Sequence, residues 1–221
     1  MGFLESAVVI YLRELFYPHG FVFPLVLMPR TLALVELFRE AATIIMLASI
    51  GIIAGRNTAQ RFSFFIYSFA VWDIFYYIFL KVFLDWPDSL FTWDILFLIP
   101  VPWVGPVIAP CIISLTMIIL TLIIIFAAEK ENHVQINLTQ WLLLITGAVV
   151  LVIAFMWDYL SYVHGNGHSV WTPVSNQEMF FDVSKYTPQS FNWLLFWVGE
   201  FLLLLATISI QQLIRSNRKK V

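Results

Sequence analysis

The segment from Val107 to Ala128 reads VIAPCIISLTMIILTLIIIFAA, and none of its residues carries a charge. A helix that crosses the hydrocarbon core of a bilayer needs about 20 mostly apolar residues, and this run is long enough. Inside lipid the backbone must satisfy its own hydrogen bonds, which an uninterrupted apolar run of this length does as a helix. The segment therefore predicts a transmembrane helix.

Four other segments of the chain have a similar length and apolar character. The composition agrees, because 61% of the 221 residues are hydrophobic and only 12% are charged, whereas soluble domains carry about 25% charged residues. We predict an all-α, polytopic transmembrane helix bundle that forms a single integral membrane domain. Together with 107–128, its clear spans are 31–55, 62–81, 138–163 and 192–213.

The N-terminal stretch 6–28 is ambiguous. It is long enough to span, but Arg13, Glu14 and the run Pro18-His19-Gly20 interrupt it. Proline and glycine both weaken a helix interior. The stretch is either a sixth span or a bent segment that enters the membrane without crossing it.

The basic residues predict how the bundle is oriented. Arg56 and Arg61 flank one short connection, Lys130 lies in another, and four more basic residues lie near or in the tail 214–221. If the five clear spans alternate, these regions share one side, which the positive-inside rule makes cytoplasmic. The loops 82–106 and 164–191 then lie outside the cell membrane.

The first outer loop is unusually apolar. Residues 90–99 form an apolar run of about half a span, a length more typical of re-entrant or interfacial segments than of spans. Pro100, Pro102, Gly105 and Pro106 then exclude a continuous helix. We therefore predict a Trp- and Pro-rich segment that either re-enters the bundle beside a polar cavity or lies in the interface.

Charged residues interrupt the span 31–55 on one helical face. Glu36, Glu40, Thr43 and Leu47 follow the i, i+4, i+7, i+11 spacing and should lie together. Arg39 can pair with Glu36 at i+3. A buried-carboxyl site and a simple ion pair near the interface are both compatible with this pattern.

Asp73 and Glu200 are lone carboxyls well inside two other spans. An ionisable residue at that depth costs about 2.5–3.5 kcal/mol on insertion scales and usually faces the bundle interior. Such a group suits a proton relay or a cation site, and it equally suits an interhelical hydrogen bond.

Polar residues also gather near the predicted outer face. Asp88, Asp94 and Asp158 are candidates there, and His164 and His168 follow Asp158 closely. Two imidazoles and a carboxylate can bind a transition metal, although two ordinary loop histidines explain the same pattern.

The sequence contains no self-contained site for haem, an iron–sulfur cluster or a nucleotide. Cys111 is the only cysteine, and no histidine lies in the middle of a span. The net charge of −2, with scattered basic residues, gives no reason to expect nucleic acid as a partner. The identity of any cofactor stays open.

Three functions of different classes fit these features. The first is a small subunit of a larger, possibly energy-transducing membrane complex, with other subunits or further copies of the chain as partners in the bilayer. The second is a small proton- or cation-coupled transporter or channel. The third is a membrane-embedded enzyme that acts on a lipid or quinone at the outer face. In each case we expect activity where the carboxyl-bearing helices meet the segment before Val107.

Overall fold

The computed structural model describes residues 1–26, 28–130, 134–165 and 185–218. Within these ranges the chain forms six helices and one short β-hairpin. The elements, in chain order, are α1 (Gly2–Phe16), α2 (Arg30–Ala54), α3 (Thr58–Leu84), β1 (Trp93–Phe97), β2 (Trp103–Pro106), α4 (Ile108–Lys130), α5 (Leu138–Gly165) and α6 (Trp193–Arg218).

Five of the described helices, α2 to α6, are long and apolar enough to cross a membrane. They cover the five segments that the apolar runs predicted, so the prediction of a multi-pass helical membrane protein is confirmed. Among these helices, α2 and α4 pack on α3, α4 contacts α6, and α6 packs on α5. The chain therefore forms one row of neighbouring spans, with α1 lying against α3.

Asparagine side chains cap the N-termini of three of the spans. Asn57 accepts a hydrogen bond from the Gln60 N–H at 2.9 Å at the start of α3. Asn137 and Gln140 bond reciprocally to each other's backbone N–H groups at the start of α5, both at 2.9 Å. Asn192 accepts from Leu195 N–H at 3.1 Å before α6. These caps satisfy backbone donors that have no partner inside the helix.

The N-terminal stretch does not form a sixth span. Helix α1 has 15 residues and ends at Phe16, which makes it about 22 Å long at 1.5 Å per residue. It is too short for the roughly 20 residues that a span requires. The structure has a short helix followed by an irregular segment that contains Pro18 and Gly20.

The segment before Val107 forms an antiparallel hairpin, a strand pairing that the sequence analysis missed. Trp93 pairs with Pro106 and Ile95 with Val104, with a register irregularity between Ile95 and Phe97. Aromatic and β-branched residues favour the strands. The intervening prolines have no N–H, so they leave fewer backbone donors without a partner at the turn.

The tip of the hairpin lies deep between the helices. The Phe97 ring stacks on Phe69 of α3 with centroids 6.2 Å apart, and Phe69 lies 15 residues before the end of α3, about 22 Å along the axis. The Trp103 ring stacks on Phe155 of α5 at 6.5 Å. The hairpin is therefore a re-entrant element that enters the bundle from the end where α3 stops and α4 begins.

Gly51 lets α2 and α3 approach each other closely. A Cβ at Gly51 would lie 2.5 Å from the Arg61 carbonyl oxygen and 2.8 Å from the Phe65 Cβ. We expect Gly51→Ala to push the helices apart and to destabilise the protein by about 1–3 kcal/mol. Thermal unfolding in detergent should show a lower Tm for this variant. Ser49→Ala, an exposed position on the same helix, is the matched control, and equal Tm values for the two variants would contradict the prediction.

Candidate functional site

A cavity of about 210 Å³ lies between α1, α2 and the hairpin, and we call it the polar cavity. Most of its wall is apolar and comes from α1, from the irregular segment after it and from the hairpin turn. Charged and hydroxyl-bearing side chains of several elements also reach it. The charged ones are Arg13, Glu36, Arg39, Glu40 and Asp94, and the hydroxyl-bearing ones are Tyr17, Tyr76 and Tyr159.

The predicted polar face of α2 is confirmed and forms one wall of this cavity. Glu36, Glu40, Thr43 and Leu47 are all buried on the same side of α2. Arg39 pairs with Glu36 as the i, i+3 spacing indicated, with Nη2 and Oε2 2.7 Å apart. One side of this helix therefore carries ionisable groups into the protein rather than toward lipid.

Helix α1 completes the ion pair. The Arg39 guanidinium donates through Nη1 to Glu5 of α1, and the Thr43 hydroxyl donates to the other Glu5 oxygen at 3.3 Å. One guanidinium thus bridges two carboxylates from two helices. A buried charge of this kind costs several kcal/mol unless it is paired, so the bridge holds α1 against α2.

Glu40 joins α2 to the hairpin. Both of its carboxylate oxygens accept from the Leu98 backbone N–H, at 3.0 and 2.9 Å. Leu98 directly follows β1, where the ladder between the strands has ended. The carboxylate therefore satisfies a backbone donor that the hairpin cannot satisfy by itself.

Arg13 and Asp94 form an incomplete pair at the other side of the cavity. Arg13 Nη2 lies 3.5 Å from Asp94 Oδ1, and both side chains are buried. The guanidinium also lies over the rings of Trp86 and Phe21, at 3.7 and 4.6 Å from their centroids. Within the described residues, Arg13 Nη1 and Asp94 Oδ2 have no hydrogen-bond partner. The pair leaves one donor and one acceptor available.

The polar cavity contains more carboxyl groups than guanidinium groups. Glu5, Glu36, Glu40 and Asp94 contribute four carboxyls, and Arg13 and Arg39 contribute two guanidiniums, either on its wall or paired to it. Full ionisation would leave a formal charge of −2 in mostly apolar surroundings. Uncompensated buried charge is expensive, so protons or a bound cation must neutralise the excess.

Asp94 is the cavity carboxyl that lies outside the spans, on strand β1. Burial raises the pKa of Asp94 from its usual 3.8 to about 6. The Arg13 guanidinium, the Ile95 backbone and the Tyr77 hydroxyl counteract part of this rise in the pKa. Asp94 can therefore exchange a proton close to neutral pH, where an ordinary aspartate stays ionised.

Asp73 and Glu200 do not line the polar cavity, and each accepts a hydrogen bond from a hydroxyl group of α4. Asp73 accepts a 2.7 Å hydrogen bond from the Ser114 hydroxyl and faces a second, apolar cavity beside the hairpin. Glu200 accepts from the Thr116 hydroxyl and lies at a groove along α6. The sequence led us to expect the helices of both Asp73 and Glu200 to meet the hairpin segment. Asp73 lines the second cavity together with Phe97 and Trp103 of the hairpin, whereas Glu200 lies outside both cavities.

The remaining outer-face candidates do not form a site among the described residues. Asp88 is exposed in the loop after α3, and His164 is exposed at the end of α5. Asp158 accepts hydrogen bonds from the Tyr186 hydroxyl at 2.6 Å and from two backbone N–H groups, so it anchors the segment before α6. His168 lies outside the described residues. Within those residues no group of three metal-binding side chains exists.

Two residues of the polar cavity escaped the sequence analysis. Arg13 was noted only as an interruption of a span, and Glu5 was not considered. Their buried neighbours on α1 are Gly2 and Ser6. The sequence did offer one signal for them. Both are charged residues in a mostly apolar helix, and such residues usually face protein rather than lipid.

Comparisons with protein-family models, with curated proteins and with solved structures find no match for this chain. Function must therefore be argued from the geometry and chemistry of the site itself. The polar cavity is the strongest candidate, because charged groups from α1, α2 and the hairpin converge on it.

The raised pKa of Asp94 predicts a pH-dependent stability. Because the folded protein favours neutral Asp94, its contribution is complete below about pH 4 and is lost as the pH rises through about 6. We expect the Tm of the parent to fall between pH 4 and 7 more steeply than that of Asp94→Asn. Asp88→Asn, an exposed control, should follow the parent. Parallel curves for the parent and Asp94→Asn would refute this assignment.

Proposed function

We propose that this membrane protein is a small transporter that exchanges protons for a small organic cation bound in the polar cavity. The observation that carries the proposal is the excess of carboxyls over guanidiniums in a buried, largely apolar cavity. A cation would neutralise that excess when bound, and protons would neutralise it when the cation leaves. The two ligands therefore compete for the same negative charge, which is the basis of coupling.

The size and wall of the cavity favour an organic cation over a bare metal ion. At about 210 Å³ it is smaller than the 300–1,000 Å³ of pockets for drug-sized ligands. Its apolar wall suits the alkyl groups of an ammonium ion, and Phe16, Tyr17 and Phe21 provide aromatic faces that attract such cations.

The Arg13–Asp94 pair provides a proton-sensitive element in the proposed cycle. When Asp94 takes up a proton, Arg13 loses part of its counter-charge and the charge of the cavity becomes more positive. A cation then binds less tightly because like charges repel. When Asp94 releases the proton, the cavity again favours the cation.

We also expect one particular orientation of the bundle in the membrane. Arg56 follows the end of α2, Arg61 lies near the start of α3 and Lys130 ends α4, so all three lie at the end of the bundle opposite to the hairpin. The positive-inside rule places that end and the C-terminus in the cytoplasm. The hairpin and the polar cavity would then open toward the outer side.

A subunit of a larger membrane complex is the second candidate. It is favoured by the groove along α6, where Glu200 lies beside exposed Leu194, Trp197 and Phe201. A helix of another protein would cover this apolar face, next to the buried Glu200 carboxyl. Purification in mild detergent distinguishes the two functions, because a stable chain with no companion subunit removes this candidate.

Removing one carboxylate from the polar cavity should impair transport. We expect Glu40→Gln to lower the initial rate of tetramethylammonium uptake by at least about tenfold, since a lost charge contact in a dry site exceeds 1.4 kcal/mol. The glutamine oxygen still accepts from Leu98 N–H, so the hairpin keeps its anchor. Uptake is measured in proteoliposomes with an acidic interior, using an ion-selective electrode.

Glu14→Gln is the matched control, because Glu14 is an exposed carboxylate on α1 next to Arg13. It should transport at the rate of the parent. Equal rates for Glu40→Gln and Glu14→Gln would refute the role of the cavity. Parent proteoliposomes that take up no more tetramethylammonium than empty liposomes would refute transport of this class of cation.

A further inference from the structure

A second cavity, separate from the polar one, lies on the opposite face of the hairpin. It occupies about 320 Å³ between α3, α4 and α5, and we call it the apolar cavity. Among the described residues, Asp73 is the only acidic residue on its wall and no basic residue lines it. This volume is about twice that of an apolar cavity known to stay dry and hold one benzene molecule.

The apolar cavity is long and differs between its two ends. Along α3 it extends from Phe62 to Asp73, which is about 16 Å at 1.5 Å per residue. The end near Phe62 and Trp141 carries only apolar and aromatic groups. The other end carries the Asp73–Ser114 pair, on the side of the cavity that the hairpin lines. A ligand that fits must be apolar over most of its length and polar at one end.

The polar end is also lined by flat aromatic rings. Phe69 stacks on Phe97 at 6.2 Å with 18° between the ring planes, and Trp103 stacks on Phe155 at 6.5 Å with 13°. Phe97 and Trp103 themselves lie 5.3 Å apart. Such walls favour a planar ring over a tetrahedral head group, because flat π-systems stack in offset contact.

The chemistry of Asp73 selects a neutral ligand. Burial without a basic neighbour favours the uncharged acid over the carboxylate, since an isolated charge in apolar surroundings is costly. Ser114 already donates to Oδ2. The acid proton is therefore available for a hydrogen bond to an acceptor, and a ring carbonyl is the acceptor that matches the aromatic walls.

We propose that the apolar cavity binds a quinone, with its ring carbonyl at Asp73 between the aromatic side chains and its hydrocarbon tail along α3 toward Phe62. The site is independent of the polar cavity, because the hairpin separates the two. Ile95 and Leu98 face the polar cavity, whereas Leu96 and Phe97 face the apolar one. The inference therefore stands whether or not the chain transports cations.

The test uses decylubiquinone and the whole protein in phosphatidylcholine nanodiscs. Quenching of tryptophan fluorescence should report saturable binding, because Trp103 and Trp141 lie at the two ends of the cavity. Ala148→Phe fills the cavity from α5 and should weaken binding at least about tenfold by occupying the ligand's volume. Val149→Phe is the matched control, the same change at the next residue, which is exposed like Ala148 but does not line the cavity. It should bind like the parent.

Variants at the polar end test the hydrogen bond. Asp73→Leu should weaken decylubiquinone binding by about tenfold through loss of one buried hydrogen bond, whereas Asp73→Asn keeps a donor and should stay close to the parent. If Ala148→Phe does not fold, Val152→Phe on the same wall replaces it. Dodecanol, a chain without a ring, should not displace decylubiquinone at equal concentration.

Three results would overturn the proposal. Quenching that does not saturate would mean partition into the bilayer rather than a site. Equal affinities for Ala148→Phe and Val149→Phe would exclude this cavity as the site. Displacement by dodecanol as effective as by decylubiquinone itself would show a generic acyl-chain site and remove the quinone assignment.

Discussion

The hydrogen bond between the Leu98 N–H and the Glu40 carboxylate is the interaction on which the rest of the structure depends. Non-helical backbone is tolerated deep in a membrane protein only where protein or a cavity satisfies its polar groups. A hairpin has two open edges and a turn, so it brings unpaired donors with it. Glu40 satisfies the donor beyond the end of the ladder, and prolines reduce the number of other donors at the turn.

Helix α1 makes this charged arrangement possible without crossing the membrane. Through Glu5 it neutralises part of the Arg39 charge, and through Arg13 it provides the counter-charge of Asp94. This 15-residue helix packs on α3 and lines one side of the polar cavity, where its Arg13 reaches Asp94 of the hairpin. Without α1, Arg39 would pair with Glu36 alone and Asp94 would have no guanidinium beside it. Two charged residues of α1, Glu5 and Arg13, therefore complete the ion pairs of the other elements.

The hairpin also divides the interior into two chemically different cavities. Successive strand residues point to opposite faces, and the irregularity between Ile95 and Phe97 adjusts which residues reach which side. One face of the hairpin lines the polar cavity with its carboxyls and guanidiniums. The other face lines the apolar cavity, which contains the Asp73–Ser114 pair among aromatic rings. A single inserted element thus supports both the proposed cation site and the proposed quinone site, while keeping the charged groups of the first away from the apolar wall of the second.

The amino-acid sequence by itself determined the five spans, the shared face of Glu36, Glu40, Thr43 and Leu47, and the Glu36–Arg39 pair. Each of these follows from local rules, namely the length of an apolar run and the helical repeat. The prolines and the half-span length left a re-entrant and an interfacial segment open as alternatives, and its strands were not predicted, because a short apolar run does not distinguish strand from helix. Only the tertiary structure brought Arg13 to Asp94 and Glu5 to Arg39, pairs separated by 81 and 34 residues in the chain. The physical reason is that helical periodicity fixes which face a residue occupies on its own element, whereas the partner of a buried charge depends on how distant elements pack.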